Sequence, residues 1–240
     1  TLHVKTIRQL LGGQLISGAE TGYVKQVMYY DSQTSIAPNT LVFVRKSDEV
    51  KWGALKAKQS LVVVSDKPIE QLKDAPVHLT IIHVRNTLQA HWDFCKYYRN
   101  LFELPVVAIT GTCGKTTTKE MLKHILSKDM LVQTSISSIN EPRQSLGYLL
   151  GIEDDTKAAV FELGLGNSGN ISHQCRVYEP TIGVITNIGV HHLDGCKDLN
   201  GYIQAKGEIL AGIRAGGTLI LNADDEHTKK LPIDTYKNKV

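Results

Sequence analysis

Thr110-Gly111-Thr112-Cys113-Gly114-Lys115-Thr116-Thr117 holds the residue types that grip a phosphate chain. Its two glycines let the backbone turn tightly and aim N–H groups at phosphate oxygens, and a helix starting there adds partial positive charge. Lys115 can reach terminal phosphates, and the Thr116 hydroxyl can hold Mg2+. The strict G-x-x-x-x-G-K-[ST] spacing would need glycine at 109, where Ile109 stands. Taken alone, the segment also reads as a glycine-rich turn with a surface lysine. Further along, Glu162 ends an apolar run, where a hard carboxylate oxygen suits Mg2+ beside Thr116. Alone it reads equally as a solvated strand-end glutamate. His191 and His192 follow another apolar run, and Lys206 lies in a stretch of helical pattern, where a lysine ordinarily faces water.

These residues need elements to hold them. LPVVAIT at 104–110 is a continuous apolar run, as in a strand buried on both faces of a parallel sheet. The pattern then predicts a helix over 115–127, with Met121, Leu122, Ile125 and Leu126 on one side. Further strands are expected at 130–134, 158–163, 181–187 and 218–222, and helices at 143–151, 170–178 and 199–213. That alternation predicts a doubly wound, mainly parallel sheet of the phosphate-loop ATPase type, with ligands at the carboxyl ends of its strands. Gly111 to Thr117, Glu162, Asn187 and His192 all fall there.

The first part reads as a small α/β domain over 1–102, and 103–240 as the second domain. Its strands are expected at 23–30, 40–44, 60–64 and 79–84, with helices at 51–58, 69–73 and 87–98.

The chain has 240 residues, 42% hydrophobic, which suffices for a packed core. A net charge of +3 without a clustered basic stripe argues against nucleic acid as partner. No apolar run approaches the roughly 18 residues of a membrane span, and no signal peptide opens the chain. Cys95, Cys113, Cys175 and Cys196 lack CxxC spacing and read as reduced thiols, so the expected setting is the cytoplasm. The chain starts at Thr1 rather than Met, as a fragment would.

T-G-T-x-G-K-T-T followed by Lys119-Glu120-Met121 resembles the Mur ligases and the related folylpolyglutamate synthases. The resemblance continues through Glu162-Leu163-Gly164, Thr186-Asn187-Ile188 with His192-Leu193-Asp194, Ala205-Lys206-Gly207-Glu208-Ile209 and Asn222-Ala223-Asp224-Asp225. The Lys206 and Asn222 segments are worded most like the MurF branch. The resemblance implies ATP-dependent joining of a carboxylate to an amine through an acyl phosphate, in peptidoglycan precursor synthesis. It implies a substrate domain, a central ATP-binding domain that is incomplete here, and no third domain within these residues. It further implies a UDP-linked muramoyl peptide and D-alanyl-D-alanine as substrates, a monomer, and two Mg2+ sites. In that pattern Gly111, Thr112, Cys113, Gly114, Lys115, Thr116, Thr117 and Asn140 contact the nucleotide, Cys113 through its backbone. Lys115, Glu162, His192 and Lys206 are catalytic, and Thr116, Glu162, His192 and Lys206 lie on metal. The matching lysine of the family is carbamylated, which turns a cation into an anionic oxygen ligand; burial that lowers its pKa would favour this.

The chain departs from the family where substrate is held. Gly164-Leu165-Gly166-Asn167-Ser168-Gly169-Asn170-Ile171 lacks the usual histidine and glutamate, and Arg143-Gln144-Ser145-Leu146-Gly147 replaces the stretch after Asn140. Gln33 replaces an arginine, Asn39 replaces a glycine, and the next loop shortens to 46–51. Three functions stay open: a MurF-type ligase, a related ligase for another carboxylate, and a nucleotide-binding module that no longer ligates. The 240 residues alone are expected to bind Mg-ATP and turn over poorly.

Overall fold

A computed structural model of the chain describes residues 2–55, 60–189 and 195–240. They form two compact units, Thr1–Tyr98 and Arg99–Val240.

The first unit runs β1 (Leu2–His3), α1 (Val4–Leu10), β2 (Gln14–Ser17), β3 (Tyr23–Val24), β4 (Gln26–Tyr29), β5 (Thr40–Val44), α2 (Trp52–Leu55), β6 (Val62–Ser65), α3 (Ile69–Leu72), β7 (Thr80–His83) and α4 (Thr87–Asn100). Among the described residues its main sheet has the order β2-β7-β6-β5-β4. Only β2 runs antiparallel to its neighbour. The Thr-Leu-Val-Phe-Val and Val-Val-Val-Ser runs of β5 and β6 are buried throughout, as central parallel strands require. Val42, Val44, Val63 and Ile81 pack one face with Leu55, Leu72 and Leu79. Phe43 turns to the other face, edge-on to His91 and Phe94 of α4. The strand expected over 23–30 is broken at Lys25. The opening β1, α1 and β2 were not anticipated, being short and weakly patterned. The helix expected over 51–58 is described only as α2; 56–59 lie outside the described residues.

The second unit runs β8 (Val106–Thr110), α5 (Lys115–Leu126), β9 (Val132–Thr134), α6 (Ser145–Leu150), β10 (Ala158–Glu162), α7 (Asn170–Tyr178), β11 (Ile182–Ile185), α8 (Leu199–Gly212) and β12 (Thr218–Leu221). Its described sheet has the order β12-β11-β8-β10-β9 and is parallel at every pairing. The central β8 and β10 are buried at every residue. Leu122 and Leu126 of α5 pack on Val107, Ile109 and Val160. On the opposite face Phe161 stacks on Tyr178 of α7, ring centroids 4.1 Å apart. Gly183 of β11 is small because Ile209 and Ile213, on and just after α8, occupy the space a Cβ would need. Helices thus cover both faces, the doubly wound α/β arrangement expected. No described helix is long and apolar enough to cross a membrane.

One expectation fails on α5. Met121 and Ile125 are 60% and 57% exposed, while Lys119 is fully buried. The inward face follows Lys115, Lys119, Leu122 and Leu126, the i, i+4, i+7, i+11 series of a helix, with a lysine where apolar patterning seeks a hydrophobe.

Candidate functional site

β8 lies between β10 and β11; the chain runs from β8 out to β9, back to β10 and then across to β11 on the other side, so the strand order reverses around β8 and a crevice opens at the carboxyl ends of these three strands. The loop from β8 to α5 lies in that crevice. Gly111 has φ +147° and Gly114 φ +81°, conformations that L side chains resist. A Cβ on Gly111 would stand 1.9 Å from Thr186 Oγ1, so the loop and the segment after β11 close on each other only with glycine there. That segment pins the loop. Thr112 N donates to Asn187 O at 2.9 Å, and Cys113 N donates to Asn187 Oδ1 at 3.0 Å. Cys113 O accepts from Thr186 Oγ1 at 2.6 Å and Asn187 Nδ2 at 3.0 Å. Cys113 therefore serves through its backbone, its thiol staying free. Lys115 Nζ folds over the loop, donating to Gly111 O at 3.1 Å and Thr112 O at 3.4 Å. Thr117 is exposed on the first turn of α5, where backbone N–H groups lack helical partners.

Glu162 closes β10 in register with Ile109, one strand from the loop. It is 2% exposed. Its Oε2 accepts from Thr116 Oγ1 at 2.7 Å and its Oε1 from Asn140 Nδ2 at 2.6 Å. Its backbone N donates to Ser135 Oγ at 3.1 Å. A hydroxyl and a carboxylate oxygen so placed are hard donors of the kind Mg2+ takes, usually one or two from protein with phosphate and water completing the shell. The donor set therefore fits Mg2+. Among the described residues no three His, Cys, Asp or Glu cluster as a metal cage. His191 and His192 lie outside the described residues.

Lys206, on α8, is 2% exposed. Its Nζ donates to Gly111 O at 3.0 Å and Thr110 Oγ1 at 3.3 Å. It also sits over the Tyr202 ring, 5.3 Å from the centroid. Burial, and then the neighbouring Lys115, bring its pKa down to about 7. Tyr202 OH is 3.1 Å from Thr112 Oγ1, tying α8 to the loop a second time.

The structure thus brings Gly111, Thr112, Cys113, Gly114, Lys115, Thr116, Asn140, Glu162 and Lys206 into one crevice. Other motif residues work at a remove. Glu208 points to α7, accepting from Gly169 N at 2.6 Å, Ser168 Oγ at 3.2 Å and Ser172 N at 3.0 Å, and so caps that helix. Asp225 accepts from Ile188 N and, at 2.8 Å, from His227 N, bracing the segment that pins the loop. Two departures keep local geometry. Asn39 has φ +57°, so the backbone of a glycine survives in a residue that tolerates it. Asn170 Oδ1 accepts from Gly166 N at 3.0 Å and Asn167 N at 2.8 Å, closing the altered turn. Sequence reasoning missed Lys119, Ser135, Thr186 and Tyr202. Lys119 left a signal as a cation on the inner face of an amphipathic helix, and Thr186 as part of a motif segment that gave it no role.

Residues 109–240 match the Mur ligase middle domain. A UDP-N-acetylmuramoyl-tripeptide–D-alanyl-D-alanine ligase of Buchnera aphidicola (from Acyrthosiphon pisum) is 35% identical over 171 residues, 70% of this chain and 37% of its own. The enzyme of that name from Haemophilus influenzae is 30% identical over 235 residues, 92% of this chain and 48% of its own. The crystal structure of MurF from Acinetobacter baumannii superposes with a TM-score of 0.79 at 24% identity, covering 99% of this chain and 52% of that one, a likeness of fold. The chain therefore spans roughly a third to a half of these relatives.

Proposed function

We infer the function from one premise: the chain belongs to the Mur ligase family. Its second unit is the ATP-binding part of a ligase that joins a carboxylate to an amine, and its first unit the part that holds the carboxylate substrate. The branch is that of the UDP-N-acetylmuramoyl-tripeptide–D-alanyl-D-alanine ligases, so a UDP-linked muramoyl peptide supplies the carboxylate and D-alanyl-D-alanine the amine. The observation that carries this reading is the convergence of Lys115, Thr116, Glu162 and Lys206 on the loop between Gly111 and Gly114.

A carboxylate oxygen attacks the γ-phosphorus of ATP, the bond from phosphorus to the ADP oxygen breaks, and an acyl phosphate forms. The amine nitrogen then attacks the acyl carbon, inorganic phosphate leaves, and the amide remains after the nitrogen loses a proton. Two anions must approach, so positioning and charge carry the catalysis. The loop N–H groups and α5 hold the phosphates. Lys115 turns from the carbonyls of Gly111 and Thr112 onto the terminal phosphates. Mg2+, held by Thr116 and Glu162, supplies charge neutralisation when bound. Lys206, with its lowered pKa, is ready to take up CO2: the neutral amine nitrogen bonds the carbon and releases a proton, leaving an anionic carbamate. That carbamate and His192 would serve a second Mg2+.

Gln33, in place of the family arginine on the substrate side, supports a second reading, a ligase of this family for another carboxylate. Phosphate release from Mg-ATP by the full-length protein, with UDP-N-acetylmuramoyl-tripeptide and D-alanyl-D-alanine omitted in turn, separates the two. Release that needs both compounds is the expected result. Silence with nucleotide binding intact would favour the other carboxylate, and absence of nucleotide binding would overturn both.

A further inference from the structure

Lys119 has no part in the site described so far, yet it is a fully buried cation, inaccessible on α5 one turn beyond Lys115. Its Nζ donates to Ser135 O at 2.8 Å and to Ser137 O, and pairs with Glu120 Oε1 at 2.9 Å. Taking an ammonium out of water is costly, and a methionine or leucine at this place would pack more cheaply. What the charge holds is therefore informative. Both carbonyls belong to the segment 135–140 that follows β9. Ser137 there has φ +47°, a left-handed conformation that a non-glycine residue keeps only where its surroundings enforce it.

The same segment carries two of the groups that fix Glu162. Ser135 Oγ accepts from Glu162 N at 3.1 Å, and Asn140 Nδ2 donates to Glu162 Oε1 at 2.6 Å. Asn140 is locked in turn: its backbone O accepts from Gly164 N at 3.1 Å, and its side chain lies where a Cβ on Gly164 would fall, 2.3 Å from Oδ1. One helix thus reaches both oxygens of the carboxylate. Thr116, on its first turn, holds Oε2 directly. Lys119, a turn later, holds Oε1 through the segment and Asn140.

We propose that Lys119 is a positioning residue: its buried ammonium clamps the 135–140 segment so that Asn140 orients the Glu162 carboxylate toward the divalent cation of bound nucleotide. The proposal rests on the Mg-ATP reading above. It places no demand on the grip of the loop on phosphate, because Lys115, Gly111 and Gly114 lie outside the clamp. Loss of Lys119 should therefore separate metal dependence from nucleotide affinity.

The test uses this chain with a fluorescent ATP analogue, titrated with Mg2+ and, separately, bound in EDTA. Lys119→Met should raise the half-saturating Mg2+ concentration by about tenfold to a hundredfold, the usual effect of removing a partner behind a metal ligand, and leave metal-free binding unchanged. Asn140→Ala should raise the Mg2+ requirement to a similar degree. Its metal-free binding does not enter the comparison, because the family pattern places Asn140 itself on the nucleotide. The double variant should be no worse than the weaker single one, because both act on one carboxylate. In metal-free protein, hydrogen exchange at the Glu162 and Gly164 amides should quicken in Lys119→Met. An unchanged Mg2+ requirement in Lys119→Met, or additive effects in the double variant, would overturn the proposal. Wild-type binding that ignores Mg2+ would instead sink the Mg-ATP reading, and the exchange result would then decide the clamp. If Lys119→Met loses its cooperative melt, Lys119→Gln, which keeps one donor, takes its place and should show a smaller rise in Mg2+ requirement. A Gln variant that also fails to fold would mark Lys119 as structural only and overturn the positioning role.

Discussion

Thr116 Oγ1 donates to Glu162 Oε2 across 2.7 Å although 46 residues separate them in the chain. The bond spans two elements, the first turn of α5 and the end of β10, that adjoin because β10 lies beside β8 in the parallel sheet. Topology thus brings together a hydroxyl and a carboxylate, hard oxygens of the kind Mg2+ takes, beside the loop between Gly111 and Gly114. The site is a consequence of strand order before it is one of side-chain detail.

Lys115 is the side-chain cation on the loop, and its bonds to Gly111 O and Thr112 O, 3.1 and 3.4 Å, can be exchanged for phosphate oxygens. Lys115→Ala should raise the Kd for Mg-ATP about tenfold to a hundredfold, the scale of a charge-assisted bond worth roughly 1.5–3 kcal/mol. Isothermal calorimetry reads this directly, and an unchanged Kd would refute the phosphate-loop assignment.

The two loop glycines should differ in what they tolerate. Gly114, at φ +81°, has nothing within 4 Å of where a Cβ would stand, so Gly114→Ala should cost about 1–2 kcal/mol of backbone strain. Gly111 has both an unfavourable φ and Thr186 Oγ1 at 1.9 Å, so Gly111→Ala should cost about 3 kcal/mol or more and loosen the Asn187 contacts. Chemical denaturation of both variants checks the ranking; equal losses would contradict the close approach of loop and Thr186.

The sheet of the second unit was legible because β8 and β10 are unbroken apolar runs, and the loop because glycine, lysine and threonine stand between strand and helix. What escaped was whatever two distant segments make together. Ser135 reads as an ordinary serine until Glu162 N is found on its hydroxyl. Tyr202 reads as a core aromatic until its OH meets Thr112 and its ring meets Lys206. The inner face of α5 was misjudged because Met121 and Ile125 carry more apolar weight than Lys119, which is buried by its hydrogen bonds rather than by its hydropathy. Glu208 reads only as a neighbour of Lys206 in its motif, and its carboxylate caps α7.

That cap makes a prediction of its own. Glu208 accepts from two backbone N–H groups and a hydroxyl at the start of α7, whose N-cap Gly169 offers no side chain. Glu208→Ala should lower stability by about 2 kcal/mol and leave nucleotide affinity intact. Thermal melts beside a binding isotherm separate the two; a loss of affinity without a loss of stability would overturn the capping role and place Glu208 in the site.

Lys206 should cost the fold stability near neutral pH. Its pKa stands at about 7 in the folded chain against 10.5 for an ordinary lysine. Between those values the unfolded lysine holds a proton that the folded one has released, so unfolding takes up a proton and stability rises with pH across the window. As pH falls from 10.5 toward 7 the stability is progressively lost, and below about 7 both states are charged and the full penalty remains. Lys206→Met, which keeps length and removes the ionising group, should be more stable than the wild type by on the order of 4 kcal/mol at neutral pH. The gap should narrow toward about pH 10. Denaturation in CO2-free, metal-free buffer at several pH values measures the difference while other titrating groups cancel between the two proteins. Parallel profiles would mean that Lys206 keeps an ordinary pKa in the crevice, and the argument for its reaction with CO2 would fail with it. A converging gap, together with lost ligation in the variant, would show a group retained for chemistry at the expense of the fold.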